Sequence, residues 1–118
     1  MEFLFANGII ALVFVLGGLI TLFFPPKEIN SLYGYRTSRS MKSLEAWKAS
    51  NRYASKIMIL AGIDLLLLGL ILFWAGINNE KIWGIVTVIS VISISVIIYL
   101  LTENYLKENF DEEGNPRQ

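Results

Sequence analysis

The chain has 118 residues, of which 54% are hydrophobic, and a mean hydropathy of +0.54, too apolar for an ordinary soluble domain of this length. Ten basic and ten acidic residues cancel, so no bulk charge recommends nucleic acid as a partner. Cysteine and histidine are both absent, which excludes disulfides, thiol nucleophiles, histidine metal sites and Ser-His-Asp triads; no metal, no cofactor and no catalytic residue is expected, and the chain is read as a non-enzyme.

The first element is an apolar run from Phe3 to Phe24, about 22 residues, enough to cross a hydrocarbon core of roughly 30 Å at about 1.5 Å per residue. Pro25-Pro26 stops it. The opening Met-Glu-Phe lacks a basic n-region and the run ends without a small-residue cleavage site, so it is read as a retained helix. A second span is predicted over residues 57–77, broken only by Asp64, and a third over 82–101, carrying Thr87, Ser90, Ser93 and Ser95. The short "NNEK" between them predicts a tight antiparallel hairpin. The fold class is therefore an all-α membrane protein of three transmembrane helices. Residues 1–105 form one membrane domain, and 106–118 form a polar tail expected to be solvated and frayed.

The connector, residues 25–56, holds Lys27, Arg36, Arg39, Lys42, Lys48, Arg52 and Lys56, whereas the hairpin offers only Lys81. Basic loops resist translocation, so the connector and C-terminus are expected inside and the N-terminus outside. The first half, "KEINSLYGYRTSRS", has neither helical nor strand periodicity and reads as a structured loop in which Gly34 permits a turn. Ser43 then reads as an N-cap, with Glu45 in the first turn, and no Pro or Gly intervenes before Gly62. One helix should therefore run from the connector straight into the second span. On it Lys48, Arg52 and Lys56 make a stripe that suits anionic lipid headgroups. Trp47 and Asn51, one turn apart, present an aromatic wall and an amide. Arg36, Thr37, Ser38, Arg39 and Ser40 gather two guanidinium groups and three hydroxyls, a set that serves either to grip a phosphate or carboxylate or simply to fix topology.

Taken together, Pro25-Pro26, Asn30, Gly34-Tyr35-Arg36-Thr37, Ser40, Trp47 and Asn51, set between two spans, resemble the signature of the SdpI/YfhL family of bacterial membrane proteins. The resemblance covers about residues 20 to 75. It implies a place in the bacterial cytoplasmic membrane and a role in immunity to a secreted, membrane-active peptide toxin, with a cytoplasmic repressor as a further partner; the name-giving member has more spans than this chain. Carried over by position, Asn30, Gly34, Arg36, Thr37, Ser40, Trp47 and Asn51 become the functional set, with Tyr35 and Arg39 between them. The loop is expected to fold back on the bundle, with Asn30 and Asn51 tying it to the second helix. Clasp and ligand site remain equal readings of the motif.

Within the bilayer, Asp64 is the one ionisable residue, and its burial costs roughly 2.5 to 3.5 kcal/mol on insertion scales. Thr21, Ser93 and Ser95 lie at similar depth and are the expected hydroxyl partners; an ion or proton site is the alternative, which makes a small dimeric proton-coupled exporter the second functional reading. Gly62, Gly69 and Gly76 recur every seven residues on a different face. The expectation is that the Asp64 face packs inside the protomer while the glycine face admits a second copy in a homodimer.

Overall fold

The computed structural model describes residues 2–117, and three helices long and apolar enough to cross a membrane account for the three apolar runs. They are α1 (Glu2–Phe23), α2 (Leu44–Trp74) and α3 (Glu80–Asn109). Among the described residues the one β interaction is an isolated bridge between Phe110 and Pro116. The molecule is 51 Å long and 24 by 22 Å across. Helix α2 is central: α1 packs along it, α3 meets it more sparingly, and α1 and α3 barely touch.

Each helix end has a local cause. Helix α1 stops at the Pro25-Pro26 pair, which cannot continue the backbone ladder. Ser43 caps α2 as its position predicts: its backbone is extended and its hydroxyl accepts the Ala46 N–H at 3.0 Å. The helix then runs unbroken for 31 residues, about 46 Å at 1.5 Å per residue, so its first turns stand beyond a hydrocarbon core of about 30 Å. It ends in a Schellman turn, with Gly76 at φ +77° and the bonds Gly76 N–H to Phe73 O and Ile77 N–H to Leu72 O, both 3.1 Å. Asn79 opens α3 by accepting from the Lys81 and Ile82 N–H groups. Trp83 closes this hairpin end, donating from its indole to Ile77 O at 2.7 Å and stacking on Phe3.

Helices α1 and α2 meet along a seam of small residues. A Cβ on Gly18 would sit 2.8 Å from Ser55 O, and one on Gly62 would sit 2.9 Å from both Ala11 O and Val15 N. A Cβ on Gly69 would collide with the Asn7 amide. In hydrocarbon, helices gain little from apolar burial against one another, and close backbone approach supplies the attraction instead. Asn7 adds a polar rivet: buried in the seam, it donates to Leu65 O at 3.1 Å.

The seam reverses the expected assignment of the α2 faces. Gly62 and Gly69 pack inside the protomer against α1, and Gly76 lies past the helix end in open space. Asp64, two residues from Gly62 and so about 200° around the helix, faces outward in an open groove beside Ile94 and Ile97 of α3. No hydrogen bond among the described residues joins it to the expected partners. The Thr21 hydroxyl turns back to Gly17 O at 2.6 Å, Ser95 turns back to Val91 O at 2.9 Å, and Ser93 is exposed. Short hydroxyl side chains on a helix satisfy themselves locally at no packing cost, and that competes successfully with a longer reach.

The C-terminal segment also differs from expectation. Helix α3 continues to Asn109, well beyond the apolar run, and buries Leu106 against Ala46 of α2. Phe110 joins that cluster, and a turn returns the chain so that the Ser43 hydroxyl donates to Gly114 O at 2.6 Å. Asp111 organises the turn by accepting from the Glu113 and Asn115 N–H groups, bonds that hold its carboxyl below the usual range. Tyr53 and Tyr105 stack at 4.4 Å between α2 and α3 just inside this end.

The seam makes a direct prediction. Gly62→Leu should lower thermal stability in detergent by about 1–3 kcal/mol, the usual cost of overpacking against groups that cannot yield. Gly84→Leu, where a Cβ meets nothing within 4 Å, should leave the unfolding midpoint unchanged.

Candidate functional site

Residues 24–43 contain no helix or strand, so side chains must satisfy much of the backbone there. Asn30 builds the first turn: its side-chain oxygen accepts the Leu32 and Tyr33 N–H groups at 2.9 and 2.7 Å, and its amide donates to Glu28 O at 3.0 Å. All three bonds are local, so Asn30 does not tie the loop to α2 as expected. Tyr33 instead reaches back, its hydroxyl donating to Phe24 O at 2.7 Å.

The tie to α2 is made by the pair read from helical spacing. Trp47 is fully buried and its indole donates to Pro26 O at 2.8 Å. Asn51, one turn on and 2% exposed, accepts the Tyr35 N–H at 2.5 Å and donates to Trp47 O at 2.8 Å. Gly34 passes between them at φ +110°, where a Cβ would lie 2.5 Å from the Asn51 side-chain oxygen and 2.8 Å from the Pro26 ring. Any other residue there would be strained in its backbone and have nowhere to put its side chain.

Beyond Gly34 the loop locks onto α3. Ser40 is fully buried; its hydroxyl accepts the Thr37 N–H at 2.8 Å and lies 3.1 Å from the carbonyls of Tyr35 and Thr37. Thr37 and Tyr35 both donate to one carboxylate oxygen of Glu103, at 2.9 and 2.7 Å. Burial pushes the Tyr35 phenol well above the ordinary tyrosine range, and the Glu103 carboxylate that receives its proton adds to the shift. Glu103 escapes the sequence reading because its partners lie more than sixty residues away. Its one signal is position, as the first acid after the third apolar run. Asn7 escapes for a similar reason: nothing local distinguishes an amide that packs from one that binds.

Seven of the nine motif residues are thus engaged in holding the loop. The two guanidinium groups are not: Arg36 is exposed, Arg39 is half-buried on the rim of an open recess with Glu103 and Lys107, and neither makes a side-chain hydrogen bond among the described residues. Behind the loop, Gly34, Tyr35, Asn51, Ser55 and Met58 border a second recess of about 340 Å³. Asp64, Ser93 and Ser95 lie along the spans and belong to neither recess. Among the described residues no group of three or more acids could hold a metal ion. The arrangement offers charge on a rigid frame, suited to pairing with carboxylate or phosphate oxygens.

The profile of the SdpI/YfhL protein family matches residues 27–101. The match takes in the stripe and the loop from Lys27 onward with Asn30 to Asn51 of the motif, begins just after the Pro25-Pro26 pair, and stops two residues short of Glu103. The chain is also 39% identical over 103 residues to the uncharacterized protein YfhL of Bacillus subtilis (strain 168), an alignment covering 87% of each chain. No solved structure matches it.

Two predictions test the clasp. Gly34→Ala should cost about 2 kcal/mol of local stability and raise the open population of the loop about 30-fold, read as faster tryptic cleavage at Arg36 and Arg39 with the helices intact. Tyr35→Phe tests the bond to Glu103 through pH. In the unfolded chain a phenol ionises at about pH 10, while in the fold Tyr35 holds its proton. Stability therefore falls as pH rises through the ordinary tyrosine range. Tyr35→Phe should lose about 1 kcal/mol near neutrality and show a shallower alkaline loss in detergent melts from pH 8 upward.

Proposed function

The chain belongs to the SdpI/YfhL protein family, and from that premise we propose that it protects a bacterial cell against a secreted, membrane-active peptide toxin, acting by binding rather than catalysis. In this reading it is a multi-pass protein of the cytoplasmic membrane with its basic loop inside. The observation that carries the proposal is the division of labour in the motif. Asn30, Gly34, Tyr35, Thr37, Ser40, Trp47 and Asn51 hold the loop in one conformation, and Arg36 and Arg39 stand free of internal partners on that frame. A loop locked at this expense presents its guanidinium groups with little ordering entropy left to lose, which favours recognition of an acidic partner such as a repressor or the toxin itself.

The exporter reading rests on Asp64 alone. Its carboxylate stands on an outward face and no other polar side chain lines its groove, so a relay through Ser93 and Ser95 has no continuous path. The two readings separate in one experiment: survival of a susceptible host under a panel of membrane-active peptide toxins, with empty vector, wild type, Arg36→Ala and Asp64→Asn at matched membrane expression. Wild type and Asp64→Asn should protect. Loss of one charge-assisted contact, worth about 1.5–3 kcal/mol, should leave Arg36→Ala at least tenfold less protective. Loss of protection by Asp64→Asn with Arg36→Ala intact would move the assignment to the exporter, and absence of protection against every peptide would overturn the immunity reading.

A further inference from the structure

The loop end carries a second feature that the motif does not include. Where α1 ends and α2 emerges, an open recess of about 500 Å³ is bordered by Lys27, Lys48, Arg52 and Lys56. Its remaining lining comes from residues 21–23 and the Pro25-Pro26 pair, and no acidic residue contributes to it. The three cations of α2 are spaced by four residues, so they stand in a row about 12 Å long, and Lys27 faces them from the loop.

We propose that this recess is a binding site for the headgroup of one anionic phospholipid. Four observations converge on that occupant. The recess lies where an apolar span gives way to a basic connector, the depth of lipid phosphates. Its four cations come from two separate elements and surround one volume, unlike a stripe on a single helix that merely faces the membrane surface. The lining has an apolar part, Leu22 and Phe23 at the end of α1, along which acyl chains can lie while the phosphate meets the cations. Finally, the recess is pre-built: the Trp47 indole holds Pro26 O, Pro26 is buried, and Lys27 follows directly. The clasp therefore sets the position of the lip carrying the fourth cation. Its volume falls within the range of small-molecule sites, about 300–1,000 Å³, and is too large for a bare phosphate to fill. This site is independent of the toxin-immunity reading, since it uses neither Arg36 nor Arg39.

The test is native mass spectrometry of the full chain released from detergent, titrated with phosphatidylglycerol, phosphatidylcholine or inorganic phosphate. Wild type should retain one phosphatidylglycerol per chain in preference to phosphatidylcholine. Lys48→Gln/Arg52→Gln/Lys56→Gln should bind it on the order of 100-fold more weakly, from about 1 kcal/mol for each cation near a lipid phosphate. Arg52→Gln alone should show a roughly fivefold loss on the same scale, which guards against failure of the triple variant to fold. The charge-matched Lys42→Gln/Lys81→Gln/Lys107→Gln should bind like wild type. Equal loss in that control, equal retention of phosphatidylcholine, or displacement of the lipid by inorganic phosphate at matched concentration would each overturn the proposal.

Discussion

The hydrogen bond from the Trp47 indole to the Pro26 carbonyl joins the end of the first membrane helix to the start of the second, and much of the loop end depends on it. A proline carbonyl just past a helix terminus has no helical donor, and an indole N–H in a buried site must find an acceptor. Each group meets the other's need. Once Trp47 is seated, Asn51 one turn later is placed to receive the Tyr35 N–H, and the chain between must pass through the gap that only Gly34 fits. Tyr35 and Thr37 are then delivered to Glu103, which brings α3 to a bundle whose other contacts with that helix are thin.

Along the spans a different force operates. Lipid tails are as apolar as leucine, so α1 and α2 associate through close approach and not through exclusion of water. Gly18, Ala11, Gly62 and Gly69 supply the flat surfaces, and Asn7 adds a bond whose loss would leave an amide buried without its partner. That choice commits the glycine face of α2 inward and turns Asp64 outward.

The spans were legible in the sequence because length and hydropathy alone select them, and the α2 start was legible because Ser43 has the chemistry of a cap. Trp47 and Asn51 were legible as a pair because helical spacing puts them on one face. What periodicity could not decide was which face meets which neighbour. Gly62 and Asp64 mark two distinct faces correctly, but the preference between them depends on small residues of α1 that carry no signal until the two helices are aligned. Glu103 and the returning tail were hidden for the same reason: their partners are far apart in the chain, and a polar terminal segment looks equally suited to solvent and to docking on Ser43.

The polar connector in so apolar a chain follows from hydrogen-bond satisfaction. A stretch without helix or strand at the mouth of a membrane bundle exposes backbone groups that hydrocarbon cannot satisfy and that neighbouring helices have no spare donors to meet. Side-chain amides and hydroxyls solve that problem: Asn30 closes one turn, Ser40 and Thr37 another, and Asn51 pins the segment between. Each of these groups is engaged within the fold. The guanidinium and ammonium groups are the surplus. They take no part in the loop's internal bonding: Arg36 is exposed, Arg39 borders the recess beside α3, and Lys27 with the α2 stripe borders the recess at the end of α1. A frame whose internal bonds use none of these cations can present them without being disturbed when they are paired, which separates the stability of this end of the molecule from the fate of its charges.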